Sequence, residues 1–192
     1  MNHIYKNNFY IMGVDPGTNT GVSIYEVDCD LNIVSIETHT IDLNMFVDQD
    51  NNQHVKDADR YLALGNLVSE LLEKYNPIGA AVESSFINKK FQSSGMKVAA
   101  YVSVVLYALK RHNKDILICK LAPKQVKKFM GDATANKDTM KSLLADKLVL
   151  MVGEEVAKLV NVQNLTEHSI DAIAIGYNFL EVIRKAPYLL NR

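Results

Sequence analysis

No run of eighteen or more apolar residues occurs anywhere in this chain of 192 residues, so an apolar membrane-spanning helix is not expected. An export signal is lacking too. Met1 to Asn8 places a His and a Lys among asparagines where such a signal needs an apolar stretch, and the protein is expected to be cytoplasmic with no membrane partner. Cysteine is scarce. Cys29 and Cys119 each stand alone in a strand-like stretch, with no CxxC spacing and no adjacent Cys or His to complete a zinc site. Both are expected to be reduced thiols without a chemical role. Internal repeats and disorder-prone composition are absent as well. What remains, 48% hydrophobic and 22% charged side chains, suffices for an ordinary core, and a single domain over residues 1–192 is expected.

The net charge of -1 conceals an uneven distribution. Between Ser84 and Lys147 thirteen Lys and Arg face four Asp and Glu, a local +9, and the remainder of the chain carries -10. Lysines commonly do no more than solvate helix faces, but a basic half of this kind is also where phosphates would bind.

Hydrophobic periodicity sets the order of elements. Phe9 to Val14 reads as a strand that ends in the turn signal Asp15-Pro-Gly, followed by strands over Gly21–Val27 and Ile33–Ile41. Asp42 to Asp57 reads as an acidic, Asn-rich loop. Tyr61, Leu64, Val68, Leu71, Leu72 and Tyr75 recur at helical spacing over Asp59–Tyr75, where Asn76-Pro77 ends the helix. The short apolar stretch Ile78–Val82 suits a central strand covered on both faces, and it delivers Glu83. Met96–His112 is predicted as a helix with an apolar face broad enough for more than one neighbour, a dimer partner among them. A strand over Ile116–Lys120, a short helix from Pro123 to Met130, a helix over about Lys137–Met151 and a final helix over about Thr166–Ile183 complete the chain. The sum is an α/β fold: a mixed five-stranded sheet, antiparallel meander plus parallel strands, with helices on both faces.

Three carboxylates fall at awkward positions. Asp15 and Glu83 end apolar strands, and Asp171 lies within the apolar pattern Ile170, Ile173, Ala174 and Tyr177. Each has an ordinary explanation when taken singly, as a turn cap, a lysine partner or a residue just off the apolar stripe. Together they suggest one hard divalent cation, because uncompensated charges in such places cost several kcal/mol (roughly). His168, three residues before Asp171, shares its helical face and would favour manganese over magnesium somewhat, while Glu167, four residues before Asp171, is a rival ligand.

These residues also carry a family resemblance. Ile11 to Gly21 (IMGVDPGTNTG), Ala81-Val82-Glu83-Ser84-Ser85-Phe86, Pro123-Lys-Gln-Val-Lys-Lys128, Ala135-Asn-Lys137 and His168-Ser-Ile-Asp171-Ala-Ile-Ala resemble, in the right order, the RuvC family of Holliday-junction resolvases, which has a ribonuclease H-like fold. The resemblance implies a metal-dependent endodeoxyribonuclease. Asp15, Glu83, His168 and Asp171 would hold two magnesium or manganese ions, with Asp15 central, and Lys127 and Lys137 would stand near the scissile phosphate. Where this chain has His168, many relatives carry aspartate and others histidine. Phe86 would wedge against unstacked bases at the junction centre. Lys89, Lys90, Lys97, Lys124 and Lys128, with Lys110 and Arg111, would track phosphates. The expected partners are four-way DNA junctions and a second copy of the chain, since two symmetric nicks suit a twofold dimer. The absence of an organellar signal would fit a bacterial cell or a virus-infected host cell.

Three other readings remain. One is a nuclease of the same fold acting on other branched DNA or on structured nucleic acid. Another is a phosphotransferase of the actin and sugar-kinase group, whose phosphate loop resembles Asp15-Pro-Gly-Thr-Asn-Thr-Gly but which needs two domains and a second glycine-rich loop. The last is a non-catalytic nucleic-acid-binding module, in which the buried carboxylates would only destabilise.

Overall fold

The computed structural model describes residues 7–85, 92–136, 138–147, 150 and 165–190. Strands β1 (Phe9–Asp15), β2 (Asn19–Val27) and β3 (Ile33–Asp42) form an antiparallel meander, and β4 (Gly79–Glu83) and β5 (Leu117–Leu121) continue the sheet in parallel with β1. The order across the sheet is β3-β2-β1-β4-β5. Helices α1 (Gln53–Tyr75) and α2 (Gln92–His112) cover one face. Helices α3 (Pro123–Met130), α4 (138–147) and α5 (Glu167–Lys185) contribute to the core on the other. The expected mixed five-stranded sheet is therefore present.

Strand alternation divides the interior in two. In β1, Met12 and Val14 face the α1–α2 side, while Ile11 packs toward α5. In β4, Ala80 and Val82 take the first side and Ala81 the second. A strand buried on both faces reads as one continuous apolar run, hence the uniform sequence of β4.

The starts of helices α1 and α2 differ from the periodicity. α1 starts at Gln53 instead of Asp59, because the Asn52 side chain caps it by accepting from the backbone N–H groups of His54 and Val55. Its first turns are mostly polar and show no apolar period. Leu43–Phe46 also forms a 3-10 turn capped by Asp42, so the stretch expected as an acidic loop is largely structured. α2 begins at Gln92, one turn before Met96. The predicted helix over Lys137–Met151 is described for 138–147 only, and Lys137 and the segment 152–162 lie outside the described residues.

Helix α5 sits unusually close to the sheet. A Cβ added to Gly13 would lie 2.4 Å from the Ala172 carbonyl oxygen, one on Gly21 2.0 Å from that of His168, and one on Gly176 2.4 Å from the Tyr25 ring. Side chains alone do not set this contact. The buried Ser23 hydroxyl donates to the Ala172 carbonyl at 2.7 Å, and the buried Tyr25 hydroxyl donates to that of Ile173 at 2.6 Å. Thr40 on β3 meets Ser169 at 2.8 Å and Thr166, the N-cap of α5, at 2.7 Å. Polar groups buried at such a seam must be paired, so these bonds fix one helix position and disfavour a slide along the sheet.

Two stability outcomes follow. Gly13→Ala should cost about 2–3 kcal/mol or more, since the added methyl meets backbone that cannot rotate away, and Tyr25→Phe about 1 kcal/mol. Urea unfolding should show both losses as lower midpoints, with the glycine substitution the worse.

Candidate active site

The parallel register of β1 and β4 runs Gly13 opposite Ala81 and Val14 opposite Val82. One step further, at the carboxyl ends of both strands, stand Asp15 and Glu83. Alternation turns both toward the α5 face, since each follows its Gly13 or Ala81 by two residues. Neighbouring strands lie about 4.8 Å apart, so pairing and pleat alone bring two carboxylates side by side. Helix α5 then brings its first turns over the same strand ends.

The His168 Nδ1 atom lies 3.0 Å from the Asp15 Oδ2 atom. On the other edge of the ring, Nε2 is 3.6 Å from the Glu167 carboxylate. The hydrogen bond that the His168 ring donates to Asp15 raises the His168 pKa against the opposing effect of burial. Burial, then the charges of Asp15 and Asp171, push the Glu83 carboxyl up to about 8, with Lys127 opposing. Asp171 is likewise pushed up to about 6, first by burial and then by Asp15, with His168 and Lys127 opposing. Asp15, Glu83, His168, Asp171 and Lys127, all anticipated from sequence, therefore share one electrostatic environment.

The side chains do not yet form a closed cage. Among the described residues, no three His, Cys, Asp or Glu side chains converge tightly enough to grip an ion as they stand. The closest approach among them is that of His168 Nδ1 to Asp15. The donor chemistry nevertheless fits a hard divalent cation, being carboxylate oxygen with one imidazole. The raised Glu83 and Asp171 values mark a buried place short of positive charge, which such an ion would supply.

Lys127 donates to the Ala135 carbonyl at 2.8 Å, which ties α3 to the loop ahead of α4. Of the residues proposed to contact DNA, Lys124 and Lys128 are exposed on α3. Lys97 is engaged by Asp57 at 3.6 Å, and Lys110 donates to the Lys114 and Ile116 carbonyls. These two are thus less free for phosphates than the sequence suggested. Phe86, Lys89, Lys90 and Lys137 lie outside the described residues.

Sequence reasoning missed the residues that hold the turn after Asp15. The buried Thr20 hydroxyl donates to the Gly17 carbonyl at 2.7 Å, and Leu43 N–H donates to the Thr18 carbonyl at 2.9 Å. The Thr18 hydroxyl meets that of Tyr101, on α2, at 3.3 Å. Two threonines in a turn were a visible signal, but the long-range partners Leu43 and Tyr101 carried none.

The family model described as crossover junction endodeoxyribonuclease RuvC matches residues 11–178, from β1 to α5. The chain belongs to the RuvC family. Among curated relatives of that name, the Treponema denticola protein is 29% identical over 166 residues, covering 85% of this chain and 81% of that one. The Protochlamydia amoebophila protein is 28% identical over 154 residues, covering 77% and 82%. Among solved structures, Thermus thermophilus RuvC in complex with a Holliday junction substrate superposes with a TM-score of 0.63 at 18% identity, over 93% of this chain and 96% of that one. The yeast mitochondrial Holliday junction resolvase Ydc2 gives 0.64 at 18% identity, over 98% and 86%. Both likenesses are of fold, the ribonuclease H-like arrangement of RuvC proteins.

The site makes metal-free stability depend on pH. Glu83 and Asp171 have folded values above their ordinary ones of 4.5 and 3.8, and His168 is also raised. All three therefore contribute stability that is full below the unfolded values and is lost as pH rises through the folded ones, for Glu83 up to about 8. In chelator the melting temperature should fall between pH 5 and pH 8.5 through a loss of a few kcal/mol (roughly), and Glu83→Gln should flatten most of that slope. A cation held by these groups would displace protons from both Glu83 and His168, so calorimetry at pH 7 in buffers of different ionisation enthalpy should record net proton release, reduced in Glu83→Gln.

Proposed function

We infer that this RuvC-family chain is a Holliday-junction resolving endonuclease that hydrolyses phosphodiester bonds in four-way DNA junctions. The observation that carries the reading is the meeting of Asp15, Glu83 and Asp171 with His168 at one end of the sheet, within a chain matched by the family over nearly its whole length. We propose that these four side chains hold divalent cations, magnesium or manganese, with Asp15 shared among them. When bound, the cations supply an acidified water and positive charge against the leaving oxygen.

The chain's own residues do the rest. Asp15, Glu83 and Asp171 bring together carboxyl groups whose charged forms are disfavoured by burial and by one another, and positive charge at the site would favour those charged forms. The seam under α5 keeps them at fixed separation, so little reorganisation is needed at the moment of reaction. Lys127, near enough to lower the Glu83 and Asp171 values, offers charge to the phosphate as negative charge builds on its oxygens. The water oxygen adds to phosphorus in line with the 3′ oxygen, the bond from phosphorus to that oxygen breaks, and the 3′ oxygen takes up a proton. The ends left are a 5′-phosphate and a 3′-hydroxyl. Lys124 and Lys128 on α3 would take neighbouring phosphates, Lys97 would join once DNA competes with Asp57, and Phe86, Lys89, Lys90 and Lys137 belong to the same proposed interface.

Two symmetric nicks need two copies of this site, and we propose that α2 supplies the twofold contact. Met96 and Tyr107 on α2 and Leu62 on α1 are exposed apolar side chains. Beside them, Tyr61, Leu62, Val104, Tyr107 and Arg111 line a groove of about 380 Å³ between the two helices. A second copy would bury its own Tyr107 there.

A labelled immobile four-way junction, with duplex, flap and RNA–DNA hybrid controls, tests the activity. Paired symmetric nicks in the junction are expected with manganese or magnesium, with none in chelator and a fall of at least about a hundredfold in Asp15→Asn. Cutting of flaps or hybrids with the junction intact would reject junction resolution while keeping a nuclease. Tyr107→Glu should convert a dimer to a monomer in sedimentation, and unchanged mass would reject α2 as the interface.

A further inference from the structure

We propose that His168 presents Nδ1 to the bound cation and that Glu167 is a positioning residue, which holds the ring by accepting a hydrogen bond from Nε2–H. The proposal rests on the reading of Asp15 and His168 as metal ligands given above, and it decides between two roles that sequence spacing leaves open for Glu167, ligand or support.

The geometry around the ring is asymmetric. Nδ1 faces the Asp15 Oδ2 atom at 3.0 Å. That is an ordinary hydrogen-bond length, and it leaves Nδ1 and the Asp15 carboxylate side by side, where one hard ion could take both as ligands. Nε2 would need the ring turned over to reach the same ion, which would break the contact with Asp15.

Glu167 lies on the opposite edge of the ring, its Oε1 atom 3.6 Å from Nε2. The two ring nitrogens point away from each other, so a carboxylate that reaches Nε2 is turned away from an ion held between Nδ1 and Asp15. Its side chain is 40% exposed, against 14% for Asp15, so a change of its own rotamer would bring it within hydrogen-bond reach of Nε2 without disturbing the core. A histidine ligand whose other nitrogen donates to a carboxylate is fixed in tautomer and orientation and is a better donor to the metal. Once the ion replaces the proton shared with Asp15, the proton that remains on the neutral ring is on Nε2, facing Glu167.

Manganese binding to the whole protein, followed by the loss of the free-ion EPR signal, separates the roles. As a positioning residue, Glu167→Ala should weaken binding about tenfold, while Glu167→Gln, whose amide oxygen still accepts from Nε2–H, should stay within about threefold of the parent. Equal and severe losses in both variants would make Glu167 a ligand and overturn the proposal, as would no loss in either. A second readout examines the nitrogen directly. In protein carrying histidine labelled with 15N at one ring position, pulsed EPR of bound manganese should give a strong coupling from Nδ1 and a weak one from Nε2; the reverse pattern, or no strong coupling from either, would overturn it. If the parent protein and Asp15→Asn bind manganese equally, it is the metal-site reading itself that fails, and this proposal falls with it.

Discussion

The approach of helix α5 to strands β1 and β2 is the contact on which the rest of this structure depends. It is a backbone contact. Gly13, Gly21 and Gly176 each remove a side chain exactly where helix and sheet would otherwise be held apart, and His168 and Ala172 rest their carbonyls in the space so made. An ordinary helix packed through its side chains would stand several ångströms further out, and Asp171 and His168 would not reach the ends of β1 and β4. The hydroxyls of Ser23, Tyr25 and Thr40 then grip the helix along its first two turns, which determines where along the sheet it stops. Catalytic geometry in this fold is thus a consequence of how closely one helix docks.

That closeness carries an electrostatic cost which the protein retains. Glu83 and Asp171 would each be more comfortable in water, since burial and neighbouring negative charge raise the pKa of both. A nuclease site has reason to keep such a deficit, because carboxylates already satisfied by lysines or by backbone N–H groups would have little free energy left to offer a cation. Lys127 illustrates the balance. It is close enough to moderate both carboxylates, yet its ammonium is held by the Ala135 carbonyl and does not neutralise them by direct pairing.

Much of this was legible in the sequence, and what was not has a physical reason. The strands and the buried faces of the helices appeared because burial imposes a period of 2.0 or 3.6 on apolar residues. Asp15, Glu83 and Asp171 appeared because each breaks such a pattern, and the misfit of a charge in an apolar setting needs no knowledge of its neighbours. The start of α1 stayed hidden because Asn52 and the polar turn after it follow no apolar period. The glycines of the α5 seam were visible as residues but not as a set, since Gly13, Gly21 and Gly176 acquire their common meaning only when residues far apart in the chain are superposed. The pairing of Lys97 with Asp57 was hidden for the same reason, and counting lysines overstated the charge available to phosphates.

The two faces of the sheet divide the work, and the strands they share connect it. On one side α5 completes the acidic site; on the other α2 turns an exposed, partly apolar surface outward while its buried face packs on β4 and α1. Tyr101 belongs to that buried face, stacks edge-on against Tyr61 and reaches the hydroxyl of Thr18 in the turn that follows Asp15. The helix proposed to meet a second copy therefore also touches the turn that follows Asp15, the residue proposed as the central ligand. A displacement of α2 on assembly would be felt at Asp15 through few intervening atoms, because the turn is already held on its other side by Thr20 and Leu43 and has little freedom to absorb it. In such an arrangement, pairing of subunits and alignment of the site are mechanically linked, which suits a reaction that must be carried out twice in register.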